Sequence, residues 1–352
     1  MSGSTVPLKQ RWQEFRELRP QTRIRDAARE LGVSEAELVA TNCGAGTIRL
    51  ASPGSPKGWG EVLEALPSLG SAMALTRNED CVHERYGRYR NVGVFGTMGS
   101  VVGPDIDLRF FLSRWHHGFV VSESTPHGMR KSIQFFDRDG TAVHKVYLQE
   151  DSDREAFTAL VAKFRSTDQS PELSVEAYPP RESDRPDSEI DVAAFAKGWR
   201  AMEDTHEFFG LLKTYGVGRR QALRLIGSEF AEPLHVDAAA GVLNRASETG
   251  TPIMVFVANP GMIQIHTGPV QRIATRGEWL NVLDDEFNLH LRTTAVTDAW
   301  AVRKPTQKGI VTSVEVFNAA GDLIVQFFGK RKPGEAELGE WRTIVGALMT
   351  SN

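Results

Sequence analysis

The chain has 352 residues, 41% of them apolar, which suits about two globular domains with cores of their own. A formal charge of -4 and a pI near 6.2 offer no basic excess to attract nucleic acid, and no nucleic-acid partner is expected. Cys43 and Cys81 lack CxxC spacing and exclude a disulfide framework or thiolate zinc site within one chain; with no signal-like apolar region and no run near 18 apolar residues, the chain is expected to be cytoplasmic and not membrane-inserted.

In chain order, "RELGVSEAELVA" reads as helix, and a string of short strands follows. "GTMGSVVG" has glycines but neither GxGxxG spacing nor a Walker lysine, so it is not read as a phosphate loop. Alternation in "DLRFF" puts Arg109 and Phe111 on one face, and "KSIQFFDRDGTAVHKVYL" reads as a hairpin. His116 and His117 are adjacent and would face opposite sides of an extended chain, which argues against a two-histidine chelate. The stretch "STDQSPELSVEAYPPRESDRPDSEID", rich in Pro, Ser and acidic residues, reads as an exposed linker, and the expected domains are 1–182 and 183–352.

The second half opens with a helical pattern from Ile190 or Asp191. Phe195, Trp199, Met202, His206 and Phe209 recur at spacings of four, three, four and three, which predicts a single helical stripe ending at Gly216, with Arg219 on the next helix. Further on, "WAVRK" places Trp300, Val302 and Lys304 on one face. "KGIVTSVEVF" and "DLIVQFFGK", joined by "NAAG", predict a hairpin with Gln326 and Phe328 sharing a face.

The two halves are copies. The segment from Ile106 aligns without a gap to that from Phe287, an offset of 181 positions that also pairs Arg109 with His290 and Asn78 with Asn259. The expected fold is α+β with an internal duplication, each half holding paired helices and a large antiparallel β-sheet.

His206 admits two readings. It is a core histidine satisfied by a nearby carbonyl, or it is an axial metal ligand projecting from a helix into an apolar cleft, which suits haem iron. Haem propionates would require cations at the rim, whereas an ordinary buried histidine needs none. No HExxH, Ser-His-Asp order or defensible carboxylate pair supports a hydrolase.

The stretches "WRAMEDTHEFFGLLKTYGVGRRQAL", "IDLRFF", "VRKPTQKGIVTSVEVF" and "IVQFFGKRKPG" resemble the HemS/HmuS/ChuS family of bacterial cytoplasmic haem-handling proteins, or hemin-degrading factors. The resemblance implies one haem (iron protoporphyrin IX) in a cleft between the halves, with His206 as proximal iron ligand, Arg109 reaching over the distal side and Phe111 as a wall. It also implies that Arg219, Lys304, Gln326 and Arg331 contact the propionate edge or the polar network around it. Phe328 departs from members that carry a tyrosine there, which removes one propionate hydrogen bond. His290 is read as structural. His83 is read as a solvent-exposed histidine, with weak binding of a second haem as the other reading.

Two functions follow from the resemblance. In one, the protein carries haem in bacterial uptake and utilisation, meeting the cytoplasmic side of a haem importer and passing its cargo to a haem oxygenase. In the other, it is a haem-degrading enzyme that opens the porphyrin oxidatively and releases iron. There Arg109, always protonated, would be catalytic by donating hydrogen bonds to a ligand on the iron.

Overall fold

The computed structural model describes residues 6–55, 57–126, 128–331 and 335–350. They form two compact units: Met1–Arg77, Glu84–Pro179 and Asn259–Gln264 make the first, and Asn78–His83, Pro180–Ala258 and Ile265–Asn352 the second. No described helix is long and apolar enough to cross a membrane.

The first unit begins with helices α1 (Leu8–Leu18), α2 (Ile24–Leu31) and α3 (Glu35–Ala40), followed by α4 (Gly60–Ala65) and later α5 (Arg154–Phe164). Ser34 and Glu37 form a reciprocal capping box at the start of α3. Strands β1 (Thr47–Leu50), β2 (Ser71–Arg77), β3 (Cys81–Arg88, its first three residues in the second unit), β4 (Val92–Phe95), β5 (Met98–Val102), β6 (Asp107–Phe111), β7 (His117–Thr125), β8 (Gly128–Phe136) and β9 (Ala142–Leu148) come between. They pair antiparallel as β1-β7-β8-β9-β2, with β4, β5 and β6 as a separate meander. Every residue of β9 is buried, because both faces of this sheet are covered. Val120, Ile133, Phe135 and Val146 pack under α4 and α5, while Phe119, Phe136 and Ala142 pack under α3.

The second unit repeats the plan with helices α6 (Val192–Arg200), α7 (Glu207–Tyr215), α8 (Arg219–Ile226), α9 (Ala238–Thr249) and α10 (Gly339–Met349). Its strands are β10 (Ala231–Leu234), β11 (Ile253–Asn259), β12 (Met262–Gly268), β13 (Ile273–Arg276), β14 (Trp279–Leu283), β15 (Phe287–Arg292), β16 (Val296–Thr306), β17 (Gly309–Asn318) and β18 (Leu323–Gly329). The antiparallel order is β10-β16-β17-β18-β11, with β13, β14 and β15 as the matching meander. Both expected hairpins, β8–β9 and β17–β18, are present; their turns use the left-handed Gly140 and Gly321, whose positive φ a side chain would strain. One face of the sheet, with Ala301, Val314, Val316 and Phe327, packs on α9 and α10, and Val302 and Phe317 on the other meet α6, α7 and α8.

One pair of residues marks the duplication at the level of single bonds. Asn78 Nδ2 donates to the carbonyls of Ala258 and Ile324 (3.2 and 2.8 Å), and Asn259 Nδ2 to those of Arg77 and Val143 (3.0 and 2.8 Å), the same contacts at the same offset. The repeats diverge inside the core. In the first unit the buried His144 ring lies between Thr76 Oγ1 on Nδ1 (2.9 Å) and Tyr89 OH on Nε2 (2.8 Å). At the three equivalent positions the second unit has Val257, Val270 and Val325, all apolar and buried. A polar trio is satisfied or replaced as a set, since one unpaired member would carry the full desolvation penalty.

Candidate functional site

The stripe predicted to run unbroken through His206 is broken in the structure. Phe195, Trp199 and Met202 are buried as expected, but α6 ends at Arg200 and α7 starts only at Glu207. The break lies at Glu203-Asp204-Thr205, where short polar side chains compete for the backbone: Asp204 Oδ1 accepts the His206 N–H at 2.8 Å, and Glu207 Oε2 accepts the Glu203 N–H at 3.1 Å. The helix restarts with a new phase, so Phe208 and Leu212 turn inward, whereas His206 and Phe209 turn out.

His206 is therefore not a core histidine. Its side chain is 93% exposed at the N-terminus of α7. The imidazole is nevertheless oriented, because Nδ1 lies 2.6 Å from the same Asp204 Oδ1 that holds the backbone N–H. Asp204 is kept below the usual carboxylate range by the His206 backbone N–H, then by the imidazole, with a contribution from the charge of Arg331. An ionised carboxylate can only accept, so Nδ1 carries the proton and Nε2 presents its lone pair outward, the tautomer a metal-binding histidine needs.

Behind α7 lies a buried ionic hub. Glu315 on β17, fully buried, accepts from Arg219 Nε and Nη2 and from Lys304 Nζ (each 2.8 Å), from Gln326 Nε2 (3.0 Å) and from Ser313 Oγ (3.1 Å). Strand register explains the convergence: Glu315 pairs with Gln326 and with Trp300, and Ser313 with Phe328 and Val302, so all of these side chains share a face with Lys304. Arg219 arrives from the first turn of α8. Its guanidinium and the Lys304 ammonium lie 5.3 and 4.5 Å from the ring centroid of Phe208, two residues beyond His206. Burial alone would raise the Glu315 pKa, but Arg219 and Lys304 hold it well below the carboxylate range. Burial brings Lys304 down to about 8 against the pull of Glu315.

Three of the four expected rim residues thus meet in one network. Lys304 is buried within it rather than standing at a solvent-facing rim. Arg331 follows β18 and acts on Asp204. Phe328 packs on Phe256, with ring centroids 5.0 Å apart. Glu315, the centre of the hub, was missed by sequence reasoning; the available signal was its register opposite Gln326 within "SVEVF".

The first unit carries Arg109 and Phe111 on the outward face of the β4–β6 meander, paired with Ser100 and Met98. Phe95, Met98 and Val102 on that face are exposed, while Leu108 and Phe110 point into the core. Arg109 is paired with Asp107 and donates Nη1 to the Leu108 carbonyl at 2.9 Å. The surface is apolar with one partly exposed guanidinium. His290, the copy of Arg109, shares a hydrogen bond with Asn281 Oδ1 at 2.7 Å. His83, expected at the surface, is fully buried with its ring 4.9 Å from that of Phe287, which removes it as a surface ligand.

The hub has a counterpart in the first unit, with the same balance of two cations and one carboxylate but the opposite charge on the helix. The helices follow a slightly different offset, 184 positions, which sets Gly32-Val33 against Gly216-Val217 and Glu35, at the start of α3, against Arg219. Glu35 is buried and paired with Arg77 and Lys145, which outweigh the upward push of burial and bring it down to about 2. Lys145 and Gln134 occupy the places of Gln326 and Glu315. A carboxylate at the helix start cannot bind an anion, and at the helix offset of 184 Thr22 stands where the second repeat has His206. Among the described residues, only those of the second repeat join an oriented imidazole to a helix-borne cation.

These features define a duplicated α+β protein whose second repeat presents one histidine, tautomer set, in front of a net-positive polar network. A family model described as "Haemin-degrading HemS.ChuX domain" matches twice, at residues 32–164 and 216–348. The chain is 40% identical over 329 residues to the "Hemin transport protein HmuS" of Yersinia pestis, covering 93% of each. It is similar to the holo-PhuS crystal structure, "a heme-binding protein from Pseudomonas aeruginosa" (TM-score 0.93, 50% identity, 97% of this chain and 98% of that one). It is also similar to the "heme degrading enzyme ChuS" of Escherichia coli O157:H7 (TM-score 0.89, 36% identity, 97% and 98%). The chain belongs to the HemS family.

Proposed function

We propose that this protein binds one haem per chain through His206 and carries it within bacterial haem utilisation in the cytoplasm, delivering it to a haem oxygenase. The observation that carries the reading is the exposed His206 imidazole with Nδ1 held by Asp204 and Nε2 directed outward. Among the described residues no group of three or more His, Cys, Asp or Glu is placed to hold a metal ion, and a single imidazole suits iron that arrives with four porphyrin nitrogens in place. Exposed Phe209 beside the imidazole, and separately Phe95, Met98 and Val102 on the first unit, supply apolar surface of the kind a macrocycle covers. The names of HmuS and PhuS, hemin transport and heme binding, support cargo handling.

A bound haem would offer its iron to Nε2 and its carboxylates to cations. The protein's part is to keep the imidazole in one tautomer, to present Arg219 from the start of α8, and to shield the ring from water. A second reading, degradation, is favoured by the partly exposed Arg109 guanidinium on the β4–β6 face and by the name of ChuS; there Arg109 would steady negative charge beside the ring.

One experiment separates the readings. The hemin complex is incubated aerobically with a reductant, with catalase present. A carrier retains its chromophore and surrenders it to an added haem oxygenase; release of iron with a linear tetrapyrrole establishes degradation. A protein that forms no saturable complex with hemin refutes both.

A further inference from the structure

The ionic hub does more than supply cations. Two positive groups and one negative group leave Arg219, Lys304 and Glu315 with a single net positive charge, and Glu315 occupies the Nε and Nη2 edge of Arg219, one of the two edges by which a guanidinium grips a carboxylate with two parallel bonds. Arg219 Nη1 makes no bond to Glu315, and the Arg219 side chain is 29% exposed. Lys304 has a side chain only 4% exposed and lies beneath Phe208, with its ammonium on Glu315.

Resting on the haem reading above, we infer that Glu315 is a built-in competitor of the ligand's carboxylates: it holds Arg219 by two donors and offsets its charge, leaves only the end-on Nη1 and Nη2 edge for the ligand, and thereby sets the affinity. Lys304 does not touch the ligand in this arrangement. It is a positioning residue that balances Glu315, as Gln326 and Ser313 do by hydrogen bonds. A site built this way binds a dicarboxylate cargo less tightly than its cations alone would allow, which suits a protein that must release what it carries.

The test compares hemin with hemin dimethyl ester, in which the carboxylates are blocked, on the full-length protein. The readout is the ratio of the two dissociation constants. Glu315→Gln keeps the shape and removes the charge, and the preference for hemin over the ester should rise roughly tenfold, the scale of one charge-assisted hydrogen bond. Because removing one member of a buried ion set can prevent folding, the double variant Lys304→Met/Glu315→Gln is measured alongside; it removes both charges together and keeps the hub's net charge. Its preference should stay at or above that of the wild type. A fivefold or greater fall in the double variant would show that Lys304 grips the ligand directly, and an unchanged or lower preference in a folded Glu315→Gln protein would show that no competition exists; either overturns the inference. A wild type that binds hemin and ester equally well leaves haem binding standing while the carboxylate argument fails, whereas a wild type that binds neither removes both.

Discussion

Asp204→Ala isolates the most specific element of the proposed site. The substitution removes one oxygen that accepts two bonds, from the His206 backbone at 2.8 Å and from Nδ1 at 2.6 Å. The first loss frees the start of α7 and costs about 1 kcal/mol, as for a lost helix cap, because the segment is exposed and water replaces the partner. The second leaves the imidazole free to rotate and to adopt either tautomer, and loss of such a partner behind a metal-binding histidine typically costs about 10–100-fold in affinity. Binding should therefore fall far more than stability. Asp204→Asn, which keeps an acceptor without the charge, should lie between. Hemin titration at the Soret band gives the affinity, and 15N chemical shifts of His206 in the ligand-free protein give the tautomer. If Asp204→Ala binds hemin within twofold of wild type while His206→Ala does not bind, the Asp204–His206 bond has no part in binding.

Other outcomes follow from the same geometry. His206→Ala should abolish or strongly alter the Soret band of the ferric complex; an unaltered spectrum and affinity would remove His206 as the ligand. Arg109→Ala should leave hemin retention nearly intact and, under the degradation reading, reduce tetrapyrrole formation; equal product yields in mutant and wild type would rule out a catalytic Arg109. His144 provides a pH test. Burial depresses its pKa from 6.5 to about 3, so below pH 6.5 the unfolded chain binds a proton that the folded chain refuses. Stability is complete above that pH and declines as pH falls towards 3, by about 2 kcal/mol between pH 7 and 5 from this group alone. Urea midpoints should show that decline reduced in Thr76→Val/Tyr89→Phe/His144→Val, which removes the trio together; an identical pH slope in the triple variant would contradict the assignment.

The duplication, the hairpins and the sheet faces were legible because alternation and a constant offset report directly on register: Gln326 and Phe328 do share a face, as do Arg109 and Phe111. The break before His206 was not. Helical spacing continues numerically through residues 201–206, while the competition from Asp204 and Glu207 for backbone donors depends on rotamers that spacing does not encode. Glu315 escaped for another reason. Lys304, Gln326 and Arg219 read as separate polar residues aimed at an external anion, and nothing in their spacing reveals that an internal carboxylate already gathers them. His83 read as solvent-exposed, yet it lies near the start of β3 with its ring packed on Phe287.

The exchange of Asn78–His83 and Asn259–Gln264 between the compact units bears on how the protein is made. The first unit cannot be completed on the ribosome until the chain has been synthesised past residue 264. Until then the buried indole N–H of Trp115 lacks its acceptor, the Gly261 carbonyl at 3.0 Å, which also takes the Phe111 N–H. A fragment ending in the linker would therefore emerge with an open seam. The piece that closes it is Asn259–Gln264, and the second unit in turn takes Asn78–His83, so each unit draws a six-residue segment from the other half of the sequence.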